Sequence, residues 1–280
     1  MGKINVNSNA YIITYSVVMV VIVAILLSVA ALGLKDRQDA NILNEKKTQI
    51  VKALGHNPEK VSYEDAKIKA YILDKEGNKD TSYDEKDVFE ALNKIKDSFA
   101  AGKFPVFEAE DGSVVIPLYG AGLWGPIWGY LALEKDMNTI KGIVMDHQGE
   151  TPGLGAEIAT AAYQANFVPK EHDQKKKIYN ANGELVGITI VKAGKGVAGN
   201  EAHEVDAISG GTKTCDGVTK MFESSLKYYE KYLKAKMNPG TELQPLVPVN
   251  EEQKQLAEGE TAEVKEPEQP AENGEVIDEK

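Results

Sequence analysis

Residues 104–145 read FPVFEAEDGSVVIPLYGAGLWGPIWGYLALEKDMNTIKGIVM, a succession of apolar runs broken by turn residues. Two apolar runs, Phe104 to Glu108 and Val114 to Tyr119, flank Glu110-Asp111-Gly112. Two more, Trp128 to Leu133 and Ile140 to Met145, flank Asp136-Met137-Asn138. Short β-branched and aromatic runs separated by Asp, Asn and Gly are hairpin signals, so four antiparallel strands are expected here. The central Gly120-Ala121-Gly122-Leu123-Trp124-Gly125 has the spacing of a dinucleotide-binding glycine loop. Such a loop opens a helix, whereas Pro126 is followed at once by another strand-like run, so a Gly-rich turn is the better reading.

Working outward, Ala156 to Phe167 reads as a helix, and Lys177 to Tyr179 with Val186 to Val191 surround Asn182-Gly183 as a third hairpin. Val218, Met221, Phe222, Leu226, Tyr229 and Leu233 fall at helical spacing and predict a last long helix. Strands in hairpins with interspersed helices define an α+β domain built on an antiparallel sheet. Toward the N-terminus, Lys35 to Leu54 has helical periodicity, and a polar stretch without a clear reading continues to about residue 100. Ahead of it, Val17 to Leu34 is almost wholly apolar over 18 residues, ~27 Å as a helix and enough for most of a hydrocarbon core. Tyr11 and Tyr15 add an interfacial anchor. Ser28-Val29-Ala30 would serve as a signal-cleavage sequence, but the apolar run exceeds the usual signal core, and an uncleaved single-pass anchor is expected. The resulting division is an anchor over 1–37, a helical linking region over 38–100, a domain over 101–237 and an acidic tail over 238–280, expected to be disordered.

The formal charge is −11, and residues 251–280 hold 11 acids and 3 lysines, so the rest of the chain is nearly neutral. No basic surface suited to nucleic acid follows from this. A single cysteine, Cys215, excludes a disulfide framework and Cys-rich metal or iron–sulfur sites. His147 and Glu150 lack the spacing of a zinc site, and no metal is expected.

Two further clusters carry chemical potential. His147-Gln148-Gly149-Glu150-Thr151-Pro152-Gly153-Leu154-Gly155 can present Thr151 and backbone amides to a polar ligand, or be a plain strand-to-helix turn. Asp206-Ala207-Ile208-Ser209-Gly210-Gly211-Thr212-Lys213-Thr214 precedes the last helix, where free amides and the helix dipole favour an anion. It lacks P-loop spacing, and Ser209 or Thr212 could instead simply cap the helix.

Together, PLYGAGLWGPIWGYLALEKDMNTIKG, HQGETPGLGAEI and DAISGGTKT make the chain, to about residue 237, resemble the C subunit of the bacterial sodium-translocating NADH:quinone reductases, a covalent-flavin-binding family. The resemblance implies FMN joined to Thr214 through a phosphoester, with Gly211 standing where alanine is commoner in the motif. It implies that Ser209, Gly210, Gly211, Thr212 and Lys213 are recognised and hold the phosphate. Thr151, Gly153, Leu154 and Gly155 would line the ring or ribityl chain with Glu150 close by, and Trp124 would cover the ring or meet a neighbouring subunit. A threonine hydroxyl is a poor nucleophile, so a separate flavin transferase using FAD and Mg²⁺ is implied. The further implications are an assembly of six subunits, A to F, that passes electrons from NADH to quinone and exports Na⁺. This chain would be a membrane-embedded relay, catalytically incomplete alone, with its flavin domain on the periplasmic side of the inner membrane. The alternative is the flavin-carrying subunit of an Rnf-type ferredoxin:NAD oxidoreductase or another extracytoplasmic electron chain.

Overall fold

A computed structural model describes residues 8–168 and 175–238. The expectation for the acidic tail lies outside these residues, apart from Asn238. The first element, α1 (Asn9–Ala53), is one helix of 45 residues. At ~1.5 Å per residue it is ~68 Å long. The apolar run and the helix expected after it are therefore a single element, since nothing between Leu34 and Ala40 breaks the helical ladder. Ser8 caps it, its Oγ accepting the Tyr11 N–H at 3.2 Å. The other end closes as the His56 N–H bonds to the Val51 carbonyl and the Gly55 N–H to the Lys52 carbonyl, with Gly55 at φ +83°. This paired closure requires a residue that tolerates the left-handed region.

The polar stretch before residue 100 contains β1 (Lys69–Leu73), β2 (Lys79–Asp80), α2 (Glu85–Asn93) and α3 (Ile95–Ala100). Asp84 and Asp87 form a reciprocal cap at the start of α2. The expected hairpins follow as β3 (Phe104–Glu108), β4 (Val114–Ala121), β5 (Pro126–Leu133) and β6 (Ile140–His147). The sheet has strand order β2-β1-β3-β4-β5-β6 and is antiparallel throughout. Gly120 pairs with Ile127 and Ala121 with Pro126, so the glycine-rich segment is a hairpin turn.

Two expectations need correction. Residues 155–167 are not one helix: a 3-10 turn (Gly155–Ala159) gives way at Thr160 to the short α4 (Ala161–Gln164) and a second 3-10 turn (Ala165–Phe167). Thr160 is extended, and its Oγ1 accepts the Tyr163 N–H at 3.3 Å, so a local side-chain bond replaces the helical ladder. The third hairpin reduces to a single bridge between Tyr179 and Leu185. There the N–H groups of Val186 and Gly187 both bond to the Ile178 carbonyl, a bulge that turns the chain away. The strand beyond it, β7 (Thr189–Val191), pairs in parallel with β8 (Glu204–Asp206). Last comes α5 (Thr212–Met237).

Alternation along the strands divides the interior in two. Val114, Ile116, Leu118, Ile127, Leu131 and Met145 face α5 on one side of the sheet. Val115, Tyr130, Ala132 and Val144 face α2 and the last turn of α1 on the other. The helix that carries the third sequence cluster is thus seated on the same sheet whose turns carry the other two.

Candidate functional site

Three chain segments meet beside the N-terminal turn of α5. Its position is fixed by close backbone approach, because a Cβ built at Gly217 would collide with the Ala121 carbonyl of β4. Farther along, Ser225 Oγ accepts the Tyr119 N–H at 3.0 Å and donates to the Tyr119 carbonyl at 3.2 Å. These bonds set the helix register on β4. The turn between β4 and β5 is closed by the Gly122 N–H on the Gly125 carbonyl at 2.8 Å. It projects Leu123 and Trp124, which are 54% and 69% exposed.

Beyond β6, the chain folds back on itself from Glu150 to Gly155. The N–H groups of Leu154 and Ala156 both bond to the Thr151 carbonyl, and the Gly153 N–H donates to Glu157. Between this loop, the β4–β5 turn and α5 lies a cavity of about 280 Å³. Leu123, Trp124 and Leu154 contribute apolar wall, Glu150, Thr151, Thr212, Lys213 and Thr214 contribute polar wall, and Gly155, Gly210 and Gly211 complete it.

At one wall Thr214 is only 2% exposed and Glu150 only 5%. The Thr214 hydroxyl donates to Glu150 Oε2, while Glu150 Oε1 accepts the Trp124 N–H at 2.8 Å. Burial pushes the Glu150 carboxyl up, but the hydrogen bonds from Thr214 and the backbone N–H groups of Trp124 and Leu123 outweigh it. They hold the group below the usual carboxylate range, so it is ionised at neutral pH. The Glu150 N–H donates to His147 Nδ1 at 3.2 Å, which pins the loop from behind. Gly155 is required by close approach: a Cβ there would strike both Thr214 Oγ1 and Glu150 Oε2.

The first turn of α5 has no side-chain cap, so neither Ser209 nor Thr212 serves as one, and Gly211 occupies the cap position. Its first amides have no intrahelical partner by the geometry of a helix start. Amides, the helix dipole and Lys213 favour an anion beside Thr214, and the exposed Leu123–Trp124–Leu154 rim suits a flat apolar group. The residues present therefore fit a phosphate-bearing aromatic cofactor such as FMN.

Of the twelve residues singled out by sequence, Trp124, Glu150, Thr151, Leu154, Gly155, Gly210, Gly211, Thr212, Lys213 and Thr214 line this cavity. Ser209 is exposed just before the helix, away from the lining. Gly153 also lies off the cavity wall; its φ of +76° and open surroundings mark it as a turn residue. Leu123 was missed, although its place beside Trp124 at a hairpin tip signalled it. Cys215 is buried, with burial the main influence raising its thiol pKa, and its Sγ accepts the Ile208 N–H at 3.4 Å.

Residues 122–227 match the family described as FMN-binding domain. Relatives named as the C subunit of Na(+)-translocating NADH-quinone reductase include one from Haemophilus ducreyi, 33% identical over 82% of this chain and 92% of its own length. Another, from Vibrio anguillarum, is 35% identical over 71% of this chain and 83% of its own. A relative of the same name from Chlamydia trachomatis is 44% identical, but the match spans only 40% of that protein. The crystal structure of such a subunit from Parabacteroides distasonis is similar at a TM-score of 0.58 and 37% identity, covering 71% of this chain and 96% of that one.

Proposed function

Because the chain belongs to the family of C subunits of the Na(+)-translocating NADH-quinone reductases, we propose that it is the electron-relaying subunit of such a complex, carrying FMN as a phosphoester on Thr214. The observation that carries the reading is the place of Thr214: its hydroxyl lies in the first turn of α5, at a cavity lined by a lysine, helix-start amides and an apolar rim. The bound flavin supplies redox chemistry that needs position and electrostatics from the protein rather than acid–base catalysis. Thr214 fixes the cofactor covalently. Lys213 and the first-turn amides would balance phosphate charge, and Leu123, Trp124 and Leu154 would shelter an apolar ring.

α1 supports membrane residence: its best 18-residue window has a mean hydropathy of 3.1 and none of it is buried by the protein. The domain stands on the periplasmic side of the inner membrane, where a flavin transferase loads it from FAD with Mg²⁺. NADH would be oxidised in another of the six subunits, a flavin held here would supply the redox group on the way to quinone, and Na⁺ would be exported.

Intact-mass measurement of the chain from its native membrane tests the attachment, with an expected gain of FMN less water. Thr214→Val keeps a β-branched shape, so the variant folds and inserts but shows no in-gel flavin fluorescence. Thr212→Val keeps at least part of it, and Thr214→Ser labels weakly. Fluorescence retained in Thr214→Val and lost in Thr212→Val would move the attachment site. NADH-driven quinone reduction stimulated by Na⁺ is the expected activity of the assembled complex, and its absence there with ferredoxin oxidation present would favour an Rnf-type chain.

A further inference from the structure

The hydroxyl assigned to the phosphoester belongs to a residue buried at the cavity wall of the folded chain. Its hydrogen donates to a buried carboxylate, and that carboxylate is held on its far side by the Trp124 N–H. The backbone at Gly155 passes so close that no Cβ fits between it, Thr214 Oγ1 and Glu150 Oε2. Leu154, in the same loop, packs toward Gly210 on the helix-start side, where a Cβ at Gly210 would come within 2.6 Å of Leu154 Cδ2. The loop from Glu150 to Gly155 thus lies across the hydroxyl and is tied down through Glu150.

Attachment makes demands that this arrangement does not meet. As the Thr214 Oγ1–P bond forms, the pyrophosphate P–O bond of the flavin dinucleotide breaks. The nucleoside monophosphate leaves with the bonding pair, and the hydroxyl proton passes to solvent. The phosphorus must approach Oγ1 with its bulky substituents, and the product places an anionic phosphodiester beside Glu150, which now accepts a hydrogen bond from that oxygen. Two anions in a site with little water repel, so the closed geometry suits the unloaded chain and opposes loading.

We infer that Glu150 is a latch: its hydrogen bond to Thr214 holds the Glu150–Gly155 loop over the unmodified hydroxyl, and flavin is attached only to the opened form. The inference rests on the assignment of Thr214 as the attachment residue. Loading of folded chain then runs at a rate scaled by the fraction of open molecules, and weakening the latch raises that fraction. A charge-assisted hydrogen bond is about twice as strong as a neutral one, so exchanging the carboxylate for an amide weakens the latch without emptying its volume.

The test uses the full-length chain in detergent, produced without transferase so that it is unloaded, then mixed with purified transferase, FAD and Mg²⁺. Covalent flavin is followed by in-gel fluorescence and intact mass. Glu150→Gln keeps an oxygen for the Trp124 N–H and the same side-chain size, and it should load several-fold faster than the parent. Glu150→Ala, which removes the latch, should load about tenfold faster provided its circular dichroism matches the parent. Glu150→Gln decides the matter: loading at the parental rate, or more slowly as expected if the carboxylate assisted attachment, overturns the latch. Thr214→Val in the same assay separates the two readings, because label on that variant overturns the attachment residue itself, whereas a dark Thr214→Val beside an unaccelerated Glu150→Gln overturns only the latch.

Discussion

The two long helices of this chain, α1 and α5, are held by opposite means. In α1 the apolar side chains from Val17 to Leu34 point in every direction and stay exposed, Leu26 at 64% and Leu32 at 74%. A helix that is apolar all round requires an apolar surround, and the protein supplies none until Ile50, Val51 and Ala53 reach the sheet. In α5 the apolar residues form one stripe, and Val218, Phe222, Leu226, Tyr229 and Leu233 are fully buried against the sheet. The first helix is suited to lipid and meets the domain only over its last turns, where Lys46 bonds to the Leu92 carbonyl and Lys47 pairs with Glu64 and Glu85. The second is a wall of the domain and carries the site at its first turn. Both reach the sheet through a glycine: a Cβ at Gly142 would strike the Ala53 carbonyl of α1, and one at Gly217 the Ala121 carbonyl beneath α5.

Cutting α1 has the greatest expected consequence. Removing residues 1–37 leaves Ile50, Val51 and Ala53 in place, so the domain should become soluble without detergent and keep its circular dichroism, whereas the full chain resists carbonate extraction. A truncated chain that aggregates would show that the domain depends on the spanning part of α1. Recovery from native membranes of a mature chain starting at Ala31 would instead mark the run as a cleaved signal.

The two glycines sharpen the contrast at smaller scale. Adding a methyl group against a backbone carbonyl typically costs 1–3 kcal/mol, since neither partner is a flexible side chain. Gly217→Ala recovers about 1 kcal/mol of helix propensity, so its net loss is about 1 kcal/mol, a fall in Tm of about 2–4 °C. Gly142→Ala has no helical gain and should lose about 2 kcal/mol. Flavin loading discriminates between them. Gly217 packs on Ala121 and Gly122, next to the Leu123–Trp124 turn, so its variant should load less flavin; Gly142→Ala should load normally at temperatures where it is folded. Equal loading by both variants would mean that the seat of α5 does not govern the site.

The same contrast explains what could be read from sequence. The apolar run of α1 and the stripe of α5 are periodic signals carried by many residues, and the hairpins of 104–145 combine alternation with turn residues. Such redundant signals survive local irregularity. The elements that escaped depend on single atoms: the Thr160 hydroxyl that interrupts the helix after Gly155, and the double use of the Ile178 carbonyl that turns β7 toward β8. β1 was hidden because Lys69-Ala70-Tyr71-Ile72-Leu73 is a five-residue strand in a polar stretch, recognisable chiefly through its pairing with β3. At the site, the glycine and hydroxyl clusters were legible as motifs, and ten of their members meet at one cavity. The bond between Glu150 and Thr214 was not legible, since 64 residues separate the two and neither position announces the other.

The smallest effect concerns the far end of α5. Glu108, at the end of β3, accepts from Lys79 at 2.6 Å, from Lys236 at 2.9 Å and from the Tyr232 hydroxyl. Burial pushes its carboxyl up, yet the hydrogen bonds from Lys79, Tyr232 and Lys236 prevail and leave it below the ordinary glutamate value of 4.5. A carboxyl depressed by folding stabilises the native state fully above its unfolded value, and that contribution is lost as pH falls through the folded value. Tyr232 remains a donor throughout, because burial raises its phenol well above the usual range. Acidification from pH 7 to pH 3 should therefore loosen the last turns of α5, at a cost of about 1 kcal/mol, visible as faster hydrogen exchange from Tyr232 to Lys236 after correction for intrinsic rates. The closing turn of α1 has no such tie, being held by backbone bonds at Gly55 and His56, and should show no matching change. Glu108→Gln should exchange at pH 7 as the parent does at pH 3, with little further response to acid. An acid response in α5 that survives this substitution would assign the effect to another carboxylate and remove the asymmetry between the helix ends.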